Sequence, residues 1–185
     1  MRIKVNWNTT SILILLVGAA WIWLSRVTPL SASANGKVAP HPGFQAPDFT
    51  LQTSQGEMVT LSDLRGQAVI INLWASWCPP CRVEMPELQK VYQAYHDQGL
   101  QVLAVNVTSQ DDTQAAVKFS AQLGLTFPIL LDLDGDVSRA YRLQSLPTTY
   151  FVDRDGIIQD VVVGGPMAEA LLRVRVENLL VKVGS

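Results

Sequence analysis

The sequence has few of the side chains that hold metal ions or cross-link small domains. Its 185 residues include two cysteines and two histidines. Two cysteines can form a single disulfide, which excludes a small domain stabilised by several of them. A structural zinc site normally takes four Cys or His ligands, and His41 and His96 lie far from the cysteine pair in the sequence. We therefore expect no metal site and no cofactor.

Acidic residues are absent from the first 37 positions, which carry four basic residues. Residues 38–185 carry ten basic and sixteen acidic residues, a net charge of −6. Binding to nucleic-acid phosphates needs clustered Lys and Arg, so this acidic body argues against a nucleic-acid partner. Hydrophobic residues make up 48% of the chain and recur periodically, which argues against intrinsic disorder.

Charged residues are also absent from the 21 positions between Lys4 and Arg26. A helix of that length spans about 30 Å, the thickness of the hydrocarbon core of a bilayer. The sequence therefore predicts a transmembrane anchor over residues 1–26 that crosses the cell membrane once. The basic residues Arg2 and Lys4 favour a cytoplasmic N-terminus, so the rest of the chain is expected on the extracytoplasmic side.

A cleaved signal peptide is the alternative interpretation of the same segment. Ala32-Ser33-Ala34 has the small-x-small pattern of a cleavage site, although Arg26 and Pro29 intervene. Under either interpretation the body is exported. Residues 27–47 are rich in Pro, Ser, Ala and Gly and show no core-forming period. We expect them to form a flexible linker before a single folded domain over residues 48–185.

The body alternates between strand-like and helix-like hydrophobic patterns. Residues 68–74 form a continuous apolar run, which is typical of a strand buried on both faces. Parallel crossovers in the first half and an antiparallel hairpin at the end predict one α/β sheet with helices on both faces. Strands are expected at residues 49–51, 58–61, 68–74, 101–107, 129–131, 148–152 and 157–163, the first two as an N-terminal β-hairpin, and helices at residues 79–97, 111–123, 137–143 and 166–183.

The motif with chemical meaning is Trp77-Cys78-Pro79-Pro80-Cys81, where a buried strand is followed by a helix. Thiol–disulfide exchange needs a thiolate nucleophile and a second thiol near enough to resolve the mixed disulfide. At the N-cap of the helix, Cys78 would lie at the positive end of the helix dipole, which lowers a cysteine pKa. We therefore expect Cys78 to attack and Cys81 to resolve. A purely structural disulfide is the alternative, although so small a loop restricts the unfolded chain very little.

The two prolines between the cysteines bear on the redox direction. Neither has an N–H group, so Pro79 and Pro80 remove two donors that could have stabilised a Cys78 thiolate. The N–H of Cys81 is the first donor that remains. We therefore expect Cys78 to be less acidic than in motifs with donors at those positions, and the pair to be reducing rather than oxidising.

Two residues outside the motif are candidates for the same site. Glu84 lies one helical turn after Cys81. A glutamate in a first helical turn is ordinarily a surface residue that complements the helix dipole, but a carboxyl near Cys81 could also accept the proton of the second thiol. Pro147 opens a strand, and its local sequence does not determine whether the preceding peptide bond is cis or trans.

Several motifs together resemble the membrane-tethered, thioredoxin-like thiol–disulfide oxidoreductases of the TlpA/ResA type. The resemblance covers about residues 44–183 and implies a thioredoxin fold with an inserted strand–helix unit, for which residues 101–123 provide the space. The matching segments are residues 47–51 (PDFTL), 72–82 (NLWASWCPPCR), 84–88 (EMPEL) and 146–153 (LPTTYFVD), followed by Gly156.

The resemblance also implies roles for the candidate residues. Cys78 and Cys81 would be the redox pair, Pro147 a cis-proline that faces them, and Glu84 the acidic residue beside the active site. Thioredoxin itself has a buried Asp six residues before its first cysteine, where this chain has Asn72, which cannot titrate. The proton-accepting role therefore falls to Glu84.

The resemblance also leads to expectations about the substrate and the partners. Trp77, Leu146 and Thr148 flank the cysteines and the proline, and we expect them to contact substrate. The expected substrates are protein disulfides, and a membrane electron donor is the expected partner because the oxidised pair must be re-reduced from across the membrane. Relatives of this type reduce the haem-binding cysteines of apocytochrome c during cytochrome c maturation, and by analogy apocytochrome c is a candidate substrate here.

Two other functions use the same fold. A thiol peroxidase would need a Ser or Thr a few residues before its reactive cysteine and a nearby Arg. Ser76 and Arg82 lie at such positions, but two cysteines three residues apart fit that class poorly. A copper chaperone would use a wider cysteine pair and a histidine in the C-terminal half, whereas no histidine follows His96.

Overall fold

The computed structural model describes residues 37–181, in which each expected strand and helix is found, with bounds that differ by at most three residues. Three short 3-10 turns accompany them, at Leu61–Leu64, His96–Gln98 and Thr108–Gln110. The strands are β1 (Thr50–Thr53), β2 (Met58–Thr60), β3 (Ala68–Trp74), β4 (Leu100–Asn106), β5 (Ile129–Leu131), β6 (Thr148–Val152) and β7 (Ile158–Val163), and the helices are α1 (Pro79–Tyr95), α2 (Thr113–Gln122), α3 (Asp136–Ala140) and α4 (Glu169–Val181).

The strands form one mixed sheet in the order β2-β1-β5-β4-β3-β6-β7. Strands β3, β4 and β5 run parallel, whereas β6 pairs antiparallel with β3, and β7 with β6. The expected hairpin of β1 and β2 joins the sheet because β1 pairs antiparallel with β5. The α/β class and the mixed sheet are confirmed, and β4 and α2 are the strand and helix expected between the active-site helix and Pro147.

Each face of the sheet has its own hydrophobic core. Ile70 and Trp74 of β3 belong to the core formed with α1, α2 and α4. Ile71 and Leu73 belong to the core formed with α3 and the turn at Leu61–Leu64. All residues of β3 are buried, which is the reason for its nearly continuous apolar sequence. Both cysteines belong to the first core.

Residues 37–47, the last part of the expected linker, belong to the same compact unit as the rest of residues 37–181. The N–H of Gly43 donates to the carbonyl of Ile158 at 2.8 Å, and the N–H of Ile158 donates to the carbonyl of Phe44 at 2.9 Å. This segment therefore pairs with the beginning of β7. Local composition predicts a linker here and misses the pairing, because the pairing partner lies more than a hundred residues away in the sequence.

The predictions for the N-terminal segment fall outside the described residues. The anchor over residues 1–26, the linker over residues 27–36 and the cleavage motif Ala32-Ser33-Ala34 all stay predictions. Within residues 37–181, no helix is both long and apolar enough to cross a bilayer.

We expect a chain that begins at residue 48 to be less stable than one that begins at residue 37. The shorter chain loses the buried Ala46 and the backbone hydrogen bonds of residues 43–46 to Ile158 and Gly156. At about 1 kcal/mol for each hydrogen bond, the free energy of unfolding should fall by about 2–4 kcal/mol. Urea unfolding followed by circular dichroism measures this difference. Equal midpoints for the two chains would show that residues 37–47 act only as a linker.

Candidate active site

Helix α1 begins at Cys78, its N-cap residue, four residues after β3 ends at Trp74. Pro79 and Pro80 occupy the first two helical positions, where a missing N–H breaks no helical hydrogen bond. The N–H of Cys81 donates to Cys78 Sγ at 3.3 Å. The sulfur of Cys78 therefore lies at the positive end of the helix dipole and accepts from the donor expected from the motif.

A disulfide joins the two cysteines, whose Cα atoms are 5.3 Å apart. Cys78 is 3% exposed and Cys81 1% exposed, whereas the neighbouring Trp77 is 57% exposed. Both cysteines are thus buried, and Cys78 is the one that lines a surface groove beside Trp77. This difference suits Cys78 as the attacking thiol and Cys81 as the resolving thiol.

A groove of about 330 Å³ runs beside Cys78. Trp77 and Leu146 line it, as expected of residues that contact substrate. The indole N–H of Trp77 donates to the carbonyl of Gln110 at 2.9 Å, which fixes this wall of the groove. Cys78 is the cysteine that the groove reaches.

Thr148 does not line the groove, in contrast to the expectation that it contacts substrate. It is 2% exposed, and its hydroxyl donates to the carbonyl of Ser145 at 2.7 Å. As the first residue of β6 it directs its side chain into the protein. Thr148 therefore supports the backbone of the groove wall instead of forming its surface.

The Leu146–Pro147 peptide bond is cis, as the family resemblance implies. A second cis bond, Gly165–Pro166, has no signal in the sequence analysis. The N–H of Gly164 donates to the carbonyl of Pro147 at 2.8 Å and ties the two segments together. A Cβ at position 165 would lie 2.8 Å from Pro147 Cγ, so glycine is needed for this close approach.

Glu84 lies beneath these two segments and is only 1% exposed, so its interpretation as a surface residue is wrong. Its Oε2 atom would lie 3.0 Å from a Cβ at Gly165. Burial raises the pKa of Glu84 to about 7, and a hydrogen bond from the Thr149 hydroxyl to Oε1, at 3.4 Å, opposes part of that rise. A carboxyl with this pKa can take up and release a proton near neutral pH, as a general base for Cys81 would have to do.

Asp111 holds the loop between β3 and α1, a role that the sequence analysis does not predict. Its carboxylate accepts hydrogen bonds from the N–H of Ser76 at 2.6 Å, from the hydroxyl of Ser76 at 2.7 Å and from the Asn106 side chain at 2.7 Å. Burial alone would raise the pKa of Asp111, but the hydrogen bonds outweigh burial and hold it below its ordinary value. Ser76 and Asp111 are 35 positions apart, so no local pattern could reveal the contact.

Arg82 supports the same loop from the helix. Its Nη1 donates to the carbonyl of Ser76 at 3.0 Å, and its guanidinium lies 4.2 Å from the centre of the Phe119 ring. Ser76 and Arg82 are the residues that a thiol peroxidase would need beside its reactive cysteine. Here the hydroxyl of Ser76 is bound to Asp111 and the guanidinium of Arg82 to the loop backbone.

Comparison with known proteins agrees with this geometry. Residues 42–161 match the AhpC/TSA family. The chain belongs to the AhpC/TSA family. It is 41% identical over 161 residues to the thioredoxin-like protein YneN of Bacillus subtilis. This match covers 86% of this chain and 90% of that protein. It is 39% identical over 137 residues to the thiol-disulfide oxidoreductase ResA of Geobacillus kaustophilus, which covers 74% of this chain and 78% of that protein.

Solved structures of redox proteins share the fold. A thiol:disulfide interchange protein of the thioredoxin family from Chlorobium tepidum matches with a TM-score of 0.69 and 26% identity, over 76% of this chain and 97% of that one. A secreted disulfide oxidoreductase of Mycobacterium tuberculosis matches with a TM-score of 0.65 and 27% identity, over 71% of this chain and 96% of that one. The resemblance to TlpA/ResA-type proteins is confirmed, and this AhpC/TSA family member is an enzyme, a thiol–disulfide oxidoreductase.

Replacing Glu84 by Gln should make the stability of the oxidised protein less dependent on pH. The pKa of Glu84 is about 7 in the folded protein and 4.5 for an ordinary Glu, so folding favours the protonated form. This stabilisation is present in full below pH 4.5 and is lost as the pH rises through 7. Between pH 4 and pH 8, the free energy of unfolding of the wild type should therefore fall by about 3 kcal/mol relative to Glu84→Gln.

Guanidinium unfolding at a series of pH values measures this difference. Glu57→Gln, at an exposed position in the β1–β2 hairpin, is the matched control and should keep the pH dependence of the wild type. Parallel pH curves for the wild type and Glu84→Gln would show that Glu84 titrates as an ordinary glutamate.

Proposed function

We propose that this oxidoreductase is a membrane-anchored reductase that opens disulfides of exported proteins on the extracytoplasmic side of the cell membrane. The observation that carries the proposal is the Cys78–Cys81 disulfide at the N-terminus of α1, beside a groove bounded by Trp77 and Leu146. A disulfide at this position can accept or donate two electrons in exchange with a bound polypeptide.

The reaction requires two exchanges of sulfur bonds. The Cys78 thiolate of the reduced enzyme attacks one sulfur of the substrate disulfide, and the other substrate sulfur leaves as a thiolate. Cys81 then gives up its proton and attacks Cys78 Sγ, which breaks the mixed disulfide and releases the second substrate thiolate. The substrate gains two electrons and the enzyme is left with its Cys78–Cys81 disulfide.

The reducing direction is supported by the donors around Cys78 Sγ. The N–H of Cys81 donates to this sulfur, while Pro79 and Pro80 have no N–H to offer. A thiolate with fewer donors is less stabilised, so the reduced pair is a stronger nucleophile and reductant than one with additional backbone donors. A membrane electron donor would restore the dithiol after each turnover.

The charge pattern of the N-terminal segment supports the extracytoplasmic location, because Arg2 and Lys4 precede 21 uncharged positions. The similar disulfide oxidoreductase of Mycobacterium tuberculosis is described as secreted. Exported proteins with exposed disulfides are therefore the proposed substrates. Apocytochrome c, oxidised at its haem-binding cysteines, is the specific candidate that the TlpA/ResA resemblance supplies.

Reduction of insulin by dithiothreitol tests the reaction class. The wild-type chain should accelerate insulin precipitation, and Cys78→Ser should reduce the rate to the uncatalysed background because the nucleophile is lost. Cys81→Ser should lose turnover and accumulate mixed disulfides on Cys78, which can be isolated from cells and identified. The double variant, which lacks both cysteines, is the control for non-specific capture. Steady peroxide consumption by Cys81→Ser would instead favour a thiol peroxidase.

The location can be tested separately because the chain has only two cysteines. A membrane-impermeant maleimide, applied to intact cells after mild reduction, should label the wild type and leave the variant without cysteines unlabelled. Labelling that appears only after lysis would place the redox pair in the cytoplasm and exclude the proposed substrates.

A further inference from the structure

Three buried polar side chains from three elements meet behind the redox pair. Asn72 lies in β3 and Thr149 in β6, directly opposite each other in the antiparallel pair of strands. Glu84 lies on α1 above them, and each of the three is 1% exposed. Buried polar groups are costly unless they are hydrogen-bonded, so a polar cluster in this core needs a structural or chemical reason.

The hydrogen bonds of this cluster run in one direction. Asn72 Nδ2 donates to Thr149 Oγ1 at 2.8 Å. The Thr149 hydroxyl has a single proton, and Glu84 Oε1 lies 3.4 Å from its oxygen. Because the amide of Asn72 already donates to Thr149, the hydroxyl proton of Thr149 is directed at the carboxyl of Glu84.

The two oxygens of Glu84 have different surroundings. Oε1 accepts from Thr149, whereas Oε2 is buried and has no hydrogen-bond partner among the residues that the structure describes. Oε2 lies beneath Gly165, at a distance that leaves no room for a side chain there. One oxygen is held in place and the other is left with a free acceptor position.

Resting on the proposed reductase cycle, we propose that Thr149, oriented by Asn72, is a positioning residue that holds Glu84 by one oxygen and leaves the other to take the proton of Cys81. In that step the S–H bond of Cys81 breaks and its proton moves to Glu84 Oε2. The sulfur of Cys81 bonds to Cys78 Sγ, and the electron pair of the mixed disulfide leaves with the substrate thiolate. No other oxidant or reductant takes part.

The electrostatics of the site agree with this arrangement. Burial raises the pKa of Glu84 to about 7, and the hydrogen bond from Thr149 acts in the opposite direction. Strands β3 and β4 and residues 164–168 carry no titratable side chain. On α1 the other titratable or charged side chains are Cys81, one turn before Glu84, and Arg82, Glu87, Lys90, Tyr92 and Tyr95. On α4 they are Glu169, Arg173, Arg175 and Glu177. Glu87 pairs with Lys90, Glu169 with Arg173 and Arg175 with Asp160, Glu177 accepts from the Tyr95 hydroxyl, and Tyr150 of β6 lies in the opposite core.

Reaction of the reduced full-length chain with 5,5′-dithiobis(2-nitrobenzoate) separates the two exchanges. The first release of thionitrobenzoate reports attack by Cys78, and the second reports attack by Cys81 on the mixed disulfide. Thr149→Val removes the hydroxyl and retains the branched shape. The rate of the second phase falls toward acid pH as Glu84 is protonated, and we call this part of its pH profile the acid limb. In Thr149→Val the midpoint of the acid limb should rise by about 0.5–1 pH unit. The second phase should then be about two- to fivefold slower at pH 7, and the first phase should be unchanged.

Two further variants establish that Thr149 acts through Glu84. Thr149→Ser retains the hydroxyl and should restore the wild-type limb. Glu84→Gln should remove the limb, and adding Thr149→Val to it should change nothing more. Thr53→Val removes another buried hydroxyl, in β1, and should leave both phases as in the wild type. An unshifted limb in Thr149→Val, or an effect that persists in the Glu84→Gln background, would overturn the assignment.

The infrared carbonyl band of protonated Glu84, identified by its loss in Glu84→Gln, gives a readout that needs no Thr149 variant. At pH 5 the wild-type band should lie at the frequency of a hydrogen-bonded carboxyl. A band at the frequency of a free carboxyl would contradict the contact with Thr149. A wild type that releases no thionitrobenzoate in either phase would contradict the proposed reductase instead, so the two failures are distinguishable.

Discussion

The junction at which β3 ends and α1 begins fixes the position of both reactive sulfurs. Strand β3 is buried along its whole length, so the loop that follows it starts from a rigid part of the fold. Four residues later Cys78 caps α1, and the N–H of Cys81 donates to its sulfur. A displacement of this junction would move the sulfur relative to the helix dipole and to the groove.

Two side chains, one from α1 and one from the loop before α2, keep the junction in place. Asp111 binds the N–H and the hydroxyl of Ser76, and Arg82 binds the carbonyl of the same residue while it stacks on Phe119. Ser76 is thereby held from both sides of the loop. The same bonds occupy the hydroxyl and the guanidinium that peroxide chemistry would require.

The proton chemistry depends on how water is kept away from Glu84. The segments at Pro147 and Gly165 cover its carboxyl, and the absence of a Cβ at Gly165 allows them to approach. Desolvation raises the pKa of Glu84 to about 7, and the hydrogen bond from Thr149 lowers this pKa by a smaller amount. The pKa of this carboxyl therefore reflects a balance between burial, which favours the protonated form, and one hydrogen bond, which favours the carboxylate.

Local sequence determined the elements, the redox motif and the place of Cys78 at a helix start, because periodicity, prolines and the spacing of two cysteines act within a few residues. The family resemblance added the cis bond before Pro147. Tertiary structure alone decided the burial of Glu84, the inward side chain of Thr148, the cis bond at Gly165–Pro166, the pairing of residues 43–46 with β7, and the contact of Asp111 with Ser76. Each of these depends on groups that are not neighbours in the sequence and that the fold brings together. Desolvation and hydrogen bonding act through space, so a carboxyl three residues after a cysteine acquires its chemistry from the strands and loops that cover it.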